Sequence, residues 1–305
     1  MRLPRMLALG ASMLVLLSAC SAGGGSPSPG KPTIKLGSDG FYESKLMAEI
    51  YGQALEHNGY TVDRVGIGLG ARKVTAAALE SGQIDLKPEY IGSGLAFYDP
   101  SKTTGDPAAN ASALQTILNG KGGGITVLNY SPAADQNAFV VTKATATTFH
   151  LASMNDLAAV QTQLKFGVAV ECQTNPVCAK ALKDSYGLDL TNALPLAACA
   201  QPMVDALTAG TVTVGELCST QPDIAKNGWV VLTDDKHTQP AENIAPLVRN
   251  DYLAKVDKAG FEKILNDISA KMTTADLTKL NAEISVDKKD ITTVAKEWLT
   301  TNGFL

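Results

Sequence analysis

Histidine and closely spaced cysteines, the usual ligands of structural metal sites, are scarce in this sequence. Its 305 residues include three histidines, His57, His150 and His237, which are scattered along the chain. No CxxC pair and no HxxxH pair occurs. Structural zinc sites need four such ligands at close spacing, so we expect no metal site and interpret each histidine as a surface residue.

Motifs for nucleotide binding and nucleophilic catalysis are also missing. Gly66-x-Gly68-x-Gly70 lacks the GxGxxG spacing, and we interpret it as a turn. The glycines at 122–124 come after Lys121, whereas a phosphate-binding lysine follows its glycine loop. The Gly-Ser-Gly at 92–94 does not match the GxSxG elbow of serine hydrolases. These absences predict a protein that is not an enzyme and that needs no cofactor.

Positive charge is not concentrated anywhere in the chain. Lys and Arg number 26 against 30 Asp and Glu, which gives a net charge of −4 at pH 7. Proteins that bind nucleic acid carry a basic patch or stripe that attracts phosphates. Nucleic acid is therefore not an expected partner.

The N-terminus has the pattern of an export signal. Arg2 and Arg5 precede an apolar stretch at 6–17, which leads into Leu-Ser-Ala and Cys20. This stretch is too short to span a bilayer, and the pattern is typical of a bacterial lipoprotein signal. We interpret residues 1–19 as a signal peptide and Cys20 as the lipidated first residue. An ordinary secretory signal with an incidental cysteine is the alternative.

Residues 20–32 are rich in Gly, Ser and Pro and predict a flexible tether. We therefore expect an exported protein that a lipid anchors to the outer face of the cytoplasmic membrane.

Four further cysteines suggest disulfide bonds. Cys172, Cys178, Cys199 and Cys218 form an even set in an exported chain, which indicates two disulfides. Sequence alone allows three pairings. We favour Cys172 with Cys178, which closes a short loop, and Cys199 with Cys218, which closes a longer one.

Strand and helix patterns alternate along the chain. The sequence predicts strands at 33–36, 60–65, 84–86 and 164–170, and helices at 46–55, 71–81, 179–186, 261–268 and 291–300. Ala78–Leu86 and Ala206–Val214 read as two versions of one helix–glycine–strand unit. The alternation indicates α/β sheets with parallel strands, in two domains of similar build, and the last helices are expected to pack on the first domain.

Two polar segments that contain aromatic residues lie at predicted strand ends. Residues 37–44 and 87–93 are interpreted as turns. Ligands of open α/β sheets bind outside the carboxyl ends of the strands, so both are candidate ligand contacts. Ordinary surface loops are the alternative.

The same segments resemble the osmoprotectant-binding family, the glycine betaine, carnitine and choline receptors of ABC importers. The matching motifs are Gly37–Glu43, Glu49–Tyr51, Ala78–Leu86, Pro88–Ser93, 230–236 and 243–249, in that order. The resemblance covers the chain from about residue 31 to its end. Several motifs in a fixed order make it specific.

The resemblance implies a two-lobed α/β fold, the type II periplasmic-binding-protein fold, with a hinge between the lobes that closes on ligand. Residues 33–137 and 239–305 would form lobe one, and residues 138–238 lobe two. The implied partners are a small polar ligand and an ABC permease in the membrane. We expect a monomer.

The resemblance also implies the ligand site. We expect ligand contacts from Asp39, Phe41, Ser44, Tyr90, Ser93, Gln136, Asn137 and Glu242. In the family, tyrosine rings enclose a quaternary ammonium group by cation–π attraction, and an arginine holds a carboxylate when the ligand has one.

This chain departs from that pattern. Tyr90 keeps the first tyrosine, but Asn137, Cys218 and Glu242 stand where other tyrosines are expected. The arginine position falls near Asn175. The replacements predict a more polar site that suits a hydroxyl-rich or amine-bearing ligand, and Glu242 is compatible with a choline-like cation.

Two rival functions fit parts of the sequence. An envelope scaffold or sensory lipoprotein that kept the fold without transport would also lose the tyrosines. An enzyme with an interlobe cleft would need a nucleophile or an acid–base pair, and the sequence offers neither.

Overall fold

A computed structural model describes residues 31–305. The predicted signal peptide, Cys20 and most of the predicted tether lie outside the described residues. In chain order the strands are β1 (Ile34–Asp39), β2 (Val62–Gly70), β3 (Leu86–Tyr90), β4 (Ile125–Val127), β5 (Asn137–Val141), β6 (Phe166–Ala169), β7 (Leu194–Leu196), β8 (Val214–Cys218), β9 (Val230–Val231) and β10 (Ile244–Arg249).

The described helices, in the same order, are α1 (Tyr42–His57), α2 (Arg72–Ser81), α3 (Ile91–Tyr98), α4 (Pro107–Leu118), α5 (Lys143–Phe149), α6 (Leu157–Val160), α7 (Ala181–Tyr186), α8 (Gln201–Thr208), α9 (Pro222–Lys226), α10 (Asn250–Leu253), α11 (Lys258–Lys271), α12 (Thr274–Ser285) and α13 (Ile291–Thr301). A π-helical turn, Pro176–Lys180, precedes α7, and short 3-10 turns lie at Pro100–Lys102, Met154–Asp156 and Gln161–Gln163. Within residues 31–305, no helix combines the length and apolar character needed to cross a membrane.

The strands form two five-stranded sheets with one topology. The first sheet has the order β2-β1-β3-β10-β4 and the second has the order β7-β6-β8-β5-β9. In the first sheet β1 is parallel to β2 and β3, while β10 is antiparallel to β3 and β4. In the second, β6 is parallel to β7 and β8, while β5 is antiparallel to β8 and β9. The predicted α/β class is confirmed, with mixed sheets.

The repeated helix–glycine–strand unit has one local geometry in both sheets. Gly82 and Gly210 adopt left-handed φ angles of 78° and 70°, which end α2 and its counterpart α8 without a Cβ clash. The residue two positions after each glycine is hydrogen-bonded to the preceding helix. Ile84 N donates to Ala78 O at 3.1 Å, and Val212 N donates to Ala206 O at 3.2 Å. Each unit ends where a strand begins, β3 or β8. The sequence similarity therefore reflects equivalent places in two similar sheets.

The C-terminal helices share a core with the first sheet, as predicted. Phe261 and Leu265 of α11 are fully buried together with Ile34 and Leu36 of β1. Helix α1 contributes its apolar face to the same core, including Leu46, Met47, Ile50 and Leu55. The opposite side of the first sheet is covered by α2, α3 and α4 through a second cluster. Both faces of the first sheet are therefore covered, and its strand ends are where open α/β sheets bind ligands.

Four predicted boundaries were wrong, and close backbone packing and buried charges account for several of them. Residues 37–44 are not one turn, because they complete β1 and begin α1 with two residues between these elements. Gly66–Gly70 is the second half of β2 rather than a turn. A Cβ at Gly66 would lie 2.5 Å from the Ile84 side chain and 2.8 Å from Leu36 O, so glycine permits the close approach of β1 and β2. The predicted strand at 84–86 is instead Leu86–Tyr90, which runs directly into α3, so residues 87–93 are not a turn.

Both disulfides form with the favoured pairing. Cys172 bonds to Cys178 and Cys199 bonds to Cys218, with Cα–Cα distances of 5.1 Å and 4.9 Å. Both bridges lie in the part of the chain that forms the second sheet. The longer bridge joins the segment before α8 to the end of β8.

Candidate functional site

The carboxyl ends of β1 and β3 meet at one edge of the first sheet. The two strands are parallel, with Leu36 opposite Leu86, so Asp39 and Tyr90 end neighbouring strands. Helix α1 starts three residues after Asp39 and brings Glu43 to the same edge. This is the edge at which open α/β sheets bind ligands.

A buried ion network lies beneath this edge. The side chain of Lys87 is fully buried, and its Nζ contacts Asp39 Oδ1 at 3.0 Å, Glu89 Oε2 at 3.0 Å and Thr75 Oγ1 at 2.9 Å. Arg72 Nε reaches the other oxygen of Glu89 at 3.0 Å. Burial alone would raise the pKa of Glu89, but the charges of Arg72 and Lys87 outweigh it and hold that pKa below its usual value. The network fixes the ends of β1 and β3 relative to each other.

A second buried group connects the two sheets. Tyr90 Oη donates to Glu43 Oε1 at 2.7 Å, and Thr220, which follows β8, donates to Glu43 Oε2 at 2.7 Å. Asn281 of α12 donates to the same oxygen at 2.6 Å, and Asp135 accepts from the backbone N of Thr220 at 3.1 Å. Residues of the first sheet, the second sheet and the segment between them therefore meet around Glu43.

The surroundings of Glu43, Asp135 and Tyr90 disfavour the ionised form of each side chain. Burial raises the pKa of Glu43, against the hydrogen bonds that it accepts. Burial and the neighbouring charge of Glu43 raise the pKa of Asp135 well above its usual value. Burial and the charges of Glu43, Asp135 and Asp39 likewise raise the pKa of Tyr90 well above its usual value. Negative charge on these three acidic side chains therefore disfavours ionisation of the Tyr90 hydroxyl group.

Ser93 and Glu242 form a pair beside Tyr90. The backbone N of Ser93 donates to Glu242 Oε2 at 2.9 Å, and the Ser93 hydroxyl group donates to the other carboxylate oxygen. Burial raises the pKa of Glu242, although the charge of Arg72 and the Ser93 hydrogen bonds oppose this. The pair joins the start of α3 to the segment before β10.

Gln136 and Asn137 lie at the start of β5 and contact the segment that returns to the first sheet. Gln136 Nε2 donates to Pro240 O at 3.1 Å, and Asn137 Nδ2 donates to Gln239 Oε1 at 3.1 Å. Gln239 in turn donates to Val177 O at 3.3 Å, within the loop of the shorter disulfide. The two crossing segments between the sheets are thus hydrogen-bonded to each other.

The predicted site residues lie in two groups, one at the ends of β1 and β3 and one at the segments that cross between the sheets. Ser44 Oγ accepts from Asp39 N at 3.1 Å, and the Phe41 ring lies 5.5 Å from the Tyr90 ring between centroids. Phe41 is 40% exposed, whereas Tyr90 is buried. The second group comprises Ser93, Gln136, Asn137 and Glu242, and the backbone bond from Asp135 N to Glu242 O at 3.1 Å links it to the group around Glu43. Their role as ligand contacts stays a prediction.

Sequence reasoning missed the charged and polar residues that organise this edge. They are Glu43, Arg72, Lys87, Glu89, Asp135, Thr220 and Asn281. One signal was available, since Lys87 and Glu89 flank a proline in a segment directly after an apolar strand pattern. Charged residues are seldom fully buried unless they are paired, and sequence alone does not reveal pairs.

The described residues offer one group of side chains close enough to hold a metal ion. Cys172, Cys178 and Glu216 bring their ligand atoms within 4.8 Å of one another. The two cysteines are joined in a disulfide, so they present no thiolate to a metal. The edge at the ends of β1 and β3 instead carries five carboxyl groups and the basic groups of Arg72 and Lys87, which are paired with Glu89 and Asp39. Such an edge can bind a solute that donates hydrogen bonds or carries positive charge.

Comparison with known proteins gives consistent matches over the described part of the chain. A family model for the substrate-binding domain of ABC-type glycine betaine transport systems matches residues 32–301. The glycine betaine-binding protein YehZ of Escherichia coli is 27% identical over 98% of this chain and 99% of its own length. The carnitine transport binding protein OpuCC of Listeria monocytogenes is 25% identical over 95% of this chain and 93% of its own length.

Solved structures match in fold. The crystal structure of a glycine betaine/carnitine/choline ABC transporter protein superposes with a TM-score of 0.74, at 24% identity over 89% of this chain and 99% of that chain. Lactococcal OpuAC in its closed, glycine betaine-bound conformation matches with a TM-score of 0.62, at 18% identity over 89% of this chain and 96% of that chain. These matches confirm the two-lobed type II periplasmic-binding-protein fold.

Proposed function

The chain belongs to the family of substrate-binding domains of ABC-type glycine betaine transport systems, and from this premise we propose that it captures a small polar solute between its two lobes. Members of this family are extracytoplasmic binding proteins of transporters, so the chain is a binding protein and not an enzyme. In the proposed role it hands the solute to an ABC permease in the membrane.

The observation that carries the ligand proposal is the acidic, hydrogen-bonded edge around Tyr90. Five buried carboxyl groups belong to Asp39, Glu43, Glu89, Asp135 and Glu242, against the buried Lys87 and the partly exposed Arg72. Glu242 and Asn137 stand where the family resemblance implies aromatic rings. Hydrogen bonds that the ligand donates to these two side chains therefore replace part of the cation–π attraction. We propose a solute with hydroxyl or amine groups, bound by Asp39, Phe41, Ser44, Tyr90, Ser93, Gln136, Asn137 and Glu242.

Relatives guide the choice of test compounds. The similar proteins are named for glycine betaine and carnitine, and a further structural match, at 17% identity and a TM-score of 0.62, is a choline-binding protein in complex with choline. Choline combines positive charge with a hydroxyl group and has no carboxylate. Among these three solutes it fits the proposed edge best, because both basic groups of the edge are already paired with carboxylates.

Thermal unfolding of residues 31–305 with a solute panel tests this function. Choline, glycine betaine, carnitine, polyols, sugars and polyphenols are each added in excess. A ligand that prefers the folded protein must raise the unfolding midpoint, and a concentration of 100 times Kd adds about 2.7 kcal/mol of stability. We expect a rise with choline or with hydroxylated solutes. A midpoint that no solute moves would contradict transport binding and favour the scaffold alternative.

The division of the chain follows the same reasoning. We propose lobe one as residues 33–137 with 239–305, and lobe two as residues 138–238. The grouping of β1 to β4 with β10, and of β5 to β9 with each other, supports these bounds. We also propose a monomer that is anchored outside the cytoplasmic membrane through a lipid on Cys20, after removal of residues 1–19.

The anchor has its own test. Mass spectrometry of the N-terminal peptide from cells should find a diacylglycerol-modified Cys20, and a Cys20→Ser variant should appear in the soluble fraction. An unmodified N-terminus at another residue would contradict the anchor and leave solute binding untouched.

A further inference from the structure

Glu43 and Asp135, named here the interlobe carboxyl pair, meet at one hydroxyl group. Thr220 Oγ1 lies 2.7 Å from Glu43 Oε2 and 2.8 Å from Asp135 Oδ1. The same hydroxyl oxygen accepts a hydrogen bond from Asn281 Nδ2 at 3.1 Å. All four side chains are buried. Water therefore does not screen the two carboxyl groups from each other.

The two contacts of the Thr220 hydroxyl group require one proton more than the hydroxyl group carries. A threonine hydroxyl group has one proton and can donate it to only one of the two carboxyl groups. The other contact is a hydrogen bond only when that carboxyl group carries a proton and donates it to the hydroxyl oxygen. Two neighbouring buried carboxylates without this proton would repel each other. The geometry therefore calls for one proton shared by the pair, and the raised pKa values of both groups agree with it.

Within residues 31–305, no basic side chain forms an ion pair with Glu43 or Asp135 that could replace this proton. The titratable groups that act on the pair or border it are Tyr42 of α1, Tyr90 of β3 and Glu242 before β10, and beyond them Asp39 of β1 acts on Tyr90 and Asp223 of α9 acts on Tyr42. None of these is basic. The nearby ion pairs connect Lys87 and Arg72 to Asp39 and Glu89, not to Glu43 or Asp135.

The pair lies where the lobes and the ligand site meet. Glu43 belongs to α1 on the first sheet, Thr220 follows β8 of the second sheet, and Asp135 lies in the segment between them. Tyr90, the proposed ligand contact, donates its hydroxyl proton to Glu43. We propose that Glu43 and Asp135 are positioning residues that share one proton across Thr220, hold the two lobes together and orient Tyr90, so that loss of this proton loosens the site.

The direction of the pH effect follows from linkage. Acids whose pKa is raised in the folded protein contribute stability that is complete below their unfolded pKa, about 4, and that disappears as the pH rises through the folded pKa. The interlobe contact should therefore be strongest in mildly acidic solution and should weaken toward alkaline pH.

The test compares ligand-free wild type with Glu43→Gln between about pH 5 and about pH 9. The glutamine amide is neutral at every pH, and it finds an acceptor because Asn281 Oδ1 is buried without a partner and the Asn281 amide can rotate. Relative to the variant, the wild-type unfolding midpoint should fall by at least about 3 °C toward alkaline pH. The wild-type radius of gyration, from small-angle X-ray scattering, should increase over the same range while that of the variant stays constant.

Three further variants make the outcome specific. Asp135→Asn should remove the pH dependence of the unfolding midpoint and of the radius of gyration, as Glu43→Gln does. It replaces Glu43→Gln in the test if Glu43→Gln does not fold. Thr220→Ser keeps the hydroxyl group and should keep the wild-type profile. Glu297→Gln, whose side chain is 55% exposed on α13, is the control and should match wild type.

If the unfolding midpoints of wild type, Glu43→Gln and Asp135→Asn changed with pH in parallel, the proposal of a shared proton would be overturned. A radius of gyration that stays constant in wild type would overturn its role in holding the lobes together. The inference rests on the proposed function only in the ligand role of Tyr90. Because these experiments use no ligand, their failure is distinct from a failure of every solute to bind, which would overturn the proposed function instead.

Discussion

Replacement of Lys87 by methionine is expected to lower the free energy of unfolding by about 3–5 kcal/mol, the cost of breaking a buried ion pair by removing one partner. Lys87 is fully buried between Asp39 and Glu89. Methionine fills a similar volume but leaves both carboxylates without their shared cation, and Thr75 Oγ1 loses a donor. Chemical denaturation of Lys87→Met and wild type at neutral pH measures the difference.

Lys180→Met is the matched control for this loss. Lys180 pairs with Asp184, but its side chain is 75% exposed, so the change should alter stability by less than about 1 kcal/mol. Because protonation can neutralise the stranded carboxylates, the deficit of Lys87→Met should shrink as the pH is lowered. A loss below about 1 kcal/mol for Lys87→Met would mean that the network does not stabilise the ends of β1 and β3.

Tyr90→Ala is expected to weaken ligand binding by about tenfold to about a hundredfold, which corresponds to about 1.4–2.7 kcal/mol. The ring lies 5.5 Å from that of Phe41, and its hydroxyl group is held by Glu43. Removal of the ring takes away the aromatic face and leaves Glu43 without one donor. Calorimetric titration with the solute that gives the largest thermal shift measures the change.

Two further variants separate the roles of the ring and the hydroxyl group. Tyr90→Phe keeps the ring and should lose less affinity than Tyr90→Ala. Tyr98→Ala is the control, because Tyr98 lies at the opposite end of α3 from Tyr90 and its hydroxyl group contacts Glu80 of α2. An unchanged affinity in Tyr90→Ala would show that the ligand site lies elsewhere.

Local patterns were sufficient to predict much of the fold. The apolar spacing of Leu46, Ile50 and Leu55 predicted α1, and the similar segments Ala78–Leu86 and Ala206–Val214 pointed to two sheets of one build. Such patterns are visible because each element buries one face, and the burial repeats with the period of the helix or strand. The family motifs added the two-lobed arrangement, which periodicity alone does not specify.

The element boundaries near the ends of β1 and β3 were harder to predict, for physical reasons. Lys87 and Glu89 break the apolar pattern of β3, although all five residues of that strand are buried. Their burial depends on partners such as Asp39 and Arg72, which are distant in sequence. The glycines of β2 have the composition of a turn but permit close contact between strands.

The polar contacts between the sheets are equally hidden in the sequence. Glu43 and Asn281 are 238 residues apart, and Thr220, which follows β8 of the second sheet, lies between them in the chain. A motif search singled out the segment that contains Glu43, but nothing in it indicates a buried carboxyl partner. Pairings of this kind follow from tertiary packing, so they could be found only in the three-dimensional structure.

The most direct test of solute capture between the lobes is calorimetric titration of residues 31–305 with choline, followed by glycine betaine as the carboxylate-bearing comparison. The account predicts saturable binding of choline at one site per chain, with weaker binding of glycine betaine and loss of affinity in Tyr90→Ala. Tighter binding of glycine betaine than of choline would contradict the proposed ligand chemistry. Absence of binding heat with either compound, together with an unmoved unfolding midpoint across the whole panel, would contradict solute capture itself.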